Sequence, residues 1–290
     1  MGPLMMTEYP EQPETLILSP LKWKYLCRSV ARGKNTLLTG PSGSGKTLCV
    51  QTIAGVSPKS RPYFYFNLGA TQDPRSTLVG NTHFSKELGT FVANSFFVNA
   101  IQQENAIILL DEISRAHPDA WNILMTVLDE NQKYLRIDEH VNTPTIRVAK
   151  GVCFMATANI GSEYTSTRVL DRALTDRFVN VIEMEPLCYD DELRLLQQCY
   201  GDVPGLDAIA HIAAFTRKEV LSDAPHIHTI ISSRITKEMA ALLVDGFTLE
   251  EIAEVCVYPF YSPSGGTESQ RTFMKQMVQK HLPNTAKETL

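Results

Sequence analysis

The 290-residue sequence has no apolar run approaching the ~18–20 residues a helix needs to cross a bilayer, which excludes a helical membrane span. Its first residues, MGPLMMTEYPEQPE, lack a basic segment followed by an apolar one, which predicts no secretory leader. Cysteine is sparse: Cys27, Cys49, Cys153, Cys188, Cys199 and Cys256 lie far apart and form no C-x-x-C pair. That excludes a disulfide framework, argues against a zinc site, and predicts buried or free thiols in a reducing, cytoplasmic setting. His226-x-His228 has no Cys or His pair at ligand spacing nearby and reads as a surface or packing feature. Basic charge is not in excess either. Lys and Arg number 27 against 32 Asp and Glu, a net charge of −5, which excludes a strongly basic nucleic-acid binder and leaves only a local basic strip. No internal repeat occurs.

What is present has ordinary globular proportions, 43% hydrophobic and 20% charged, enough for one large domain or two modest ones and unlike a disordered chain. The charge is unevenly placed. Residues 187–290 hold 14 acidic and 9 basic side chains, so the whole net charge lies in the last third. Residues 1–15, rich in Pro and Glu, read as a flexible segment. Residues 16–186 alternate helix and strand patterns. A helix is expected over 21–31, stopped by Gly33, and apolar strands at 36–39, 63–68, 106–110, 152–157 and 179–184. Helical spacing falls at 48–55, 91–104 and 118–129, with a loop over 71–80. Continuous apolar runs such as Ala-Ile-Ile-Leu-Leu suit strands covered on both faces, so the pattern predicts an α/β fold with a parallel sheet. Residues 187–290 show helical patterns at 190–199, 206–215, 235–244 and 249–258 with no strand between them, which predicts an all-helical second domain.

Gly40, Pro41, Ser42, Gly43, Ser44, Gly45, Lys46 and Thr47 match G-x-x-x-x-G-K-[ST] at every fixed position, after a predicted strand and before a predicted helix. The glycines allow a tight loop whose amides converge on phosphate oxygens, and the helix N-terminus adds partial positive charge. Lys46 is expected to reach the β- and γ-phosphates, and Thr47 to ligate Mg²⁺. A second motif, AIILLDEISRA, delivers Asp111 and Glu112 to the end of a buried strand, 64 residues past Thr47. Adjacent acids alone are common at solvated helix starts. At the carboxyl end of a parallel strand they suit a metal-shell ligand, Asp111, and a water-polarising base, Glu112. The acid at 112 favours hydrolysis over simple binding.

With these residues in place the chain resembles the AAA+ ATPases, and within them the MoxR group, with the CbbQ/NirQ and CobS-like proteins and the dynein-related branch. The resemblance rests on the two Walker motifs, on FMATAN ending at Asn159, on LDRALTDRF containing Arg177, and on ISSR ending at Arg234. It extends to Leu-Val-Gly at 78–80 before Gly-Thr-Phe at 89–91. It departs from the family at Ser114, where an Asn is usual, and at Arg172, where many relatives carry Pro or another residue. The resemblance implies a P-loop AAA+ parallel-sheet core followed by a small helical lid, with ATP and Mg²⁺ as ligands. It implies that Asn159 acts as sensor 1, Arg234 as sensor 2, and Arg177 as an arginine finger reaching the neighbouring subunit of a homo-oligomeric, six-membered ring. Arg172 is the second choice for that finger, with Arg115 and Arg168 as weaker interface residues. Two family hairpins are placed at 81–89 and 133–150, the second with its turn near Pro144. The implied role is ATP-driven remodelling or activation of a partner protein, in some relatives together with a partner bearing a von Willebrand factor A domain. Two other readings stand beside it. One is a nucleic-acid motor or loader using Lys133, Arg136, Arg147 and Lys150. The other is a nucleotide-dependent structural ring with little turnover.

Overall fold

The computed structural model describes residues 10–56, 61–85, 89–137, 145–159 and 170–281. They fall into two compact units. One holds residues 10–13, Leu18–Pro41 and Lys46–Met184; the other holds Glu14–Ile17, Ser42–Gly45 and the chain from Glu185 onward.

The first unit opens with α1 (Pro20–Arg32). Ser19 caps it by accepting from the Lys22 amide, Pro20 suits its first turn, and Gly33 ends it in the left-handed region at φ 59°. There follow β1 (Thr36–Gly40), α2 (Lys46–Val56), β2 (Tyr63–Asn67), α3 (Pro74–Leu78), β3 (Gly80–Ser85), β4 (Gly89–Asn94) and α4 (Phe96–Ile101). Next come β5 (Ile107–Asp111), a 3-10 turn at Ile113–Arg115, α5 (Pro118–Leu128), β6 (Tyr134–Arg136) and β7 (Thr145–Arg147). The unit closes with β8 (Cys153–Asn159), α6 (Arg172–Thr175) and β9 (Asn180–Glu183).

Five strands form a parallel sheet in the order β2-β5-β8-β1-β9. All five residues of β5 are buried, as are the first six of β8, which explains their unbroken apolar runs. Register then decides what meets at the carboxyl edge. Asn67 pairs with Asp111, and Gly40 pairs with Asn159. The ends of β2, β5, β8 and β1 therefore share one rim, the place where open parallel sheets bind ligands.

Two local expectations are corrected. The loop expected over 71–80 contains α3, capped by the Asp73 carboxylate on the Ser76 amide. The helical spacing over 91–104 begins as strand: β4 pairs antiparallel with β3, and the helix starts only after Ser95, whose hydroxyl accepts from the Val98 amide. The pairing partner of β4 lies outside the local window, so a helical period was the only local signal. The hairpin starts at Gly80, where φ is 128° and a Cβ would fall 2.1 Å from the Ala93 carbonyl oxygen. The second hairpin is β6–β7, with Leu135 opposite Ile146. Both hairpin tips lie outside the described residues, Pro144 among them.

The second unit contains α7 (Tyr189–Tyr200), α8 (Leu206–Val220), α9 (Ser233–Val244), α10 (Leu249–Cys256) and α11 (Gln270–Gln279). Among the described residues it has no strand. Ile209, Ile212, Ile231, Met239, Ile252 and Met274 pack in its core, and Thr248 and Glu251 form a capping box at the start of α10. Helix α11 has no counterpart among the helical patterns of the sequence. It follows Ser-Pro-Ser-Gly-Gly, which reads as loop, and its buried face is only Met274, Met277 and Val278. His226 stacks on Phe273 and meets Glu219 at 2.8 Å, while His228 is exposed. Among the described residues no helix is long and apolar enough to cross a membrane.

Candidate nucleotide site

The phosphate loop runs from the end of β1 into α2. Gly40, Gly43 and Gly45 take φ of 146°, 77° and 85°, conformations that side chains disfavour, so the spacing of the glycines answers a backbone requirement. Lys46 opens α2 and is 7% exposed. Its Nζ donates to the carbonyl oxygens of Gly40 at 2.9 Å and Pro41 at 2.6 Å. Burial lowers its pKa to about 8, partly opposed by the charges of Asp111 and Glu112.

Asp111, at the end of β5 and 8% exposed, is the hub. Thr47 Oγ1 donates to its Oδ1 at 3.1 Å and Tyr65 Oη to its Oδ2 at 3.0 Å. Thr157 Oγ1 also donates to Oδ1. The same Thr157 oxygen accepts from the Glu112 amide at 2.9 Å. Burial, and then the hydrogen bond to Asp111, push the Tyr65 phenol up to about 12, so it stays a donor.

Glu112 adopts left-handed backbone at φ 57°, ψ 40°. Its Oε2 lies 3.4 Å from Arg115 Nη1. Gly69 leaves space for it, since a Cβ there would sit 2.4 Å from Glu112 Oε2. Asn159 ends β8 beside Gly40. Ser114 is 2% exposed and its hydroxyl has no hydrogen-bond partner among the described residues.

The sheet thus brings Lys46, Thr47, Asp111, Glu112 and Asn159 to one rim. It does not bring Arg177 there. Arg177 Nη1 donates to the Ala173 carbonyl at 2.7 Å, and Nη2 lies 3.5 Å from Asp129 Oδ2, so the side chain is held within its own chain. Arg172 is exposed on α6. Arg234 is exposed on the first turn of α9 in the second unit. Arg168 lies outside the described residues. On the second hairpin, Arg147 stacks over Tyr134 at 5.9 Å and donates to the Gln132 carbonyl at 3.0 Å. Sequence reasoning missed Thr157 and Tyr65 as partners of Asp111. Thr157 sits in the quoted FMATAN segment two residues before Asn159; nothing local marked Tyr65, whose position follows from β2–β5 register.

Fold and loop together define the class: a P-loop α/β protein with a helical C-terminal region. The chain belongs to the AAA domain family, dynein-related subfamily, which matches residues 35–178. AAA domains as a class bind and hydrolyse nucleotide. The chain is 32% identical over 220 residues to a protein named "Putative chaperone BssE" from Thauera aromatica, covering 75% of this chain and 72% of that one. It is 33% identical over 153 residues to "Uncharacterized protein YojN" of Bacillus subtilis, covering 52% of this chain and 48% of that one. It therefore spans about half the length of YojN. Solved structures similar to it include NtrX from Brucella abortus in complex with ADP, at 14% identity and a TM-score of 0.47, over 93% of this chain and 69% of that one.

Proposed function

We propose that this chain hydrolyses ATP and couples the hydrolysis, within a homo-oligomeric ring, to remodelling or activation of a partner protein. The observation that carries the reading is the Asp111 carboxylate, tied to Thr47 of the phosphate loop and followed directly by Glu112. A protein that only held phosphate would gain nothing from a second acid at that rim.

Each residue has a task in that chemistry. Phosphoryl transfer to water needs charge neutralisation and an aligned nucleophile more than covalent catalysis. Lys46 exchanges its two carbonyl acceptors for β- and γ-phosphate oxygens, and the loop amides with the N-terminus of α2 hold the rest. Thr47 and Asp111 offer a hydroxyl and a carboxylate 3.1 Å apart, a hard-oxygen donor set that fits Mg²⁺. When bound, Mg²⁺ neutralises charge on the phosphate oxygens. Thr157 and Tyr65 hold the Asp111 carboxylate in one orientation. Glu112 orients and polarises the attacking water, with Asn159 beside the γ-phosphate. Arg234 takes the sensor-2 role at the γ-phosphate that the family resemblance gives it, and Arg177 acts on the neighbouring subunit's site.

The similarity to the protein named a putative chaperone supports the remodelling role. A companion with a von Willebrand factor A domain is what the family resemblance implies. Glu112→Gln is the direct test. ATP binding and assembly should persist while turnover falls to background in a phosphate-release assay. Wild-type turnover in that variant would sink the assignment.

A further inference from the structure

The helical unit buries two opposite charges that the chemistry above does not use. Glu192, on the first turn of α7, is fully buried, and the Arg217 side chain near the end of α8 is 7% exposed. Arg217 Nη1 donates to Glu192 Oε2 at 2.8 Å. Burying such a pair is expensive, and apolar replacements of the same volume are often equally stable or more so. Stability alone therefore does not explain why these two residues stand here. Their remaining hydrogen bonds point elsewhere.

The remaining bonds converge on the start of α9. Glu192 Oε2 accepts from Ser233 Oγ at 2.8 Å, and Oε1 accepts from Thr236 Oγ1. Arg217 Nη2 donates to the Ile231 carbonyl at 3.1 Å and to Ser233 Oγ at 3.3 Å, and Nη1 also donates to the Leu187 carbonyl at 2.6 Å. Thr216 adds a hydroxyl that accepts from the Ile231 amide at 3.0 Å. The residues held are 231, 233 and 236. Arg234 lies between them, and it is exposed.

We infer that Glu192 and Arg217 are positioning residues for Arg234. The buried pair fixes the backbone before Arg234 and the two hydroxyl side chains beside it, and ties them to Leu187 at the start of the helical unit. The backbone that carries Arg234 is then held in one position, so its guanidinium starts from a fixed Cα. The inference rests on the reading of Arg234 as a γ-phosphate contact.

The test keeps both buried charges and removes the hydroxyls that read them. Ser233→Ala/Thr236→Val should lower kcat about 10-fold, because a slight displacement of a positioned group is enough to lose that much. The ratio of ATPγS to ADP affinity should fall in the same proportion as in Arg234→Ala, while ADP affinity stays at the wild-type value. Thr236→Ser, which keeps the hydroxyl, should restore both. Thr236→Val alone serves if the double variant folds poorly. A loss of thermal stability with an unchanged ATPγS:ADP ratio and unchanged kcat, in a protein whose Arg234→Ala variant loses both, would overturn the positioning role. An Arg234→Ala variant with wild-type ratio and turnover would instead overturn the reading of Arg234 and leave nothing to position.

Discussion

Thr157 Oγ1 serves two neighbouring residues with opposite halves of its bonding capacity. It donates to the Asp111 carboxylate and accepts from the Glu112 amide. The second bond matters because Glu112 occupies left-handed backbone, a conformation costing a non-glycine residue about 1–2 kcal/mol. With Thr157 only 2% exposed, water does not replace either bond when the hydroxyl is lost. Thr157→Val should therefore destabilise the protein by about 1–3 kcal/mol in denaturant unfolding. It should also lower turnover more than nucleotide affinity, since both acids lose their orientation. Thr157→Ser should recover both. Equal stability in the valine variant would show that the hydroxyl does not hold the pair. The buried thiols sit at the other extreme. Burial pushes Cys27, Cys49 and Cys153 up to about 12, which makes them packing groups and not nucleophiles.

Secondary-structure elements in this chain are joined at their ends by side chains that no local pattern marks. Arg61, just ahead of β2, donates through Nε to the Asn105 carbonyl and through Nη2 to the Gly151 carbonyl, each at 2.6 Å, and through Nη1 to Val30. One guanidinium thus links the end of α1 with the approaches to β5 and β8, on the side of the sheet away from the nucleotide rim. Arg61→Met should destabilise by about 2–4 kcal/mol, because three carbonyls lose a charged donor together. ADP affinity measured by calorimetry should remain at wild-type. A matching loss of affinity would mean that the effect spreads to the rim. The strands with continuous apolar runs, β5 and β8, were legible because full burial on both faces leaves a compositional trace. The β3–β4 hairpin and α3 were not, because pairing between residues 80 and 94 and a single Asp73 cap are invisible to a periodicity window.

At the scale of the whole molecule, the proposed ring requires an arginine of one chain to serve another's site. Arg177 is engaged with Ala173 and Asp129 of its own chain, whereas Arg172 is exposed. Arg177→Ala should leave nucleotide affinity intact and reduce turnover by roughly 10³-fold or more if it is the finger. Mixing Arg177→Ala with Glu112→Gln subunits should then restore part of the activity. Mixtures no more active than their parents would exclude action across subunits, and the same experiment with Arg172→Ala tests the second choice. The sequence by itself determined the phosphate loop, the acid pair at the end of a buried strand, the alternation of helix and strand, and the change to an all-helical, acidic last third. Each of these is written within a few neighbouring residues, as glycine spacing, an apolar run or local charge. Tertiary structure alone decided that Tyr65 and Thr157 share Asp111, that Arg61 links three segments, and that Glu192 and Arg217 grip the start of α9. Tyr65 and Asp111 lie 46 residues apart, Arg61 and Gly151 90, and Glu192 and Ser233 41, and these contacts depend on strand register and helix packing, which local composition does not encode.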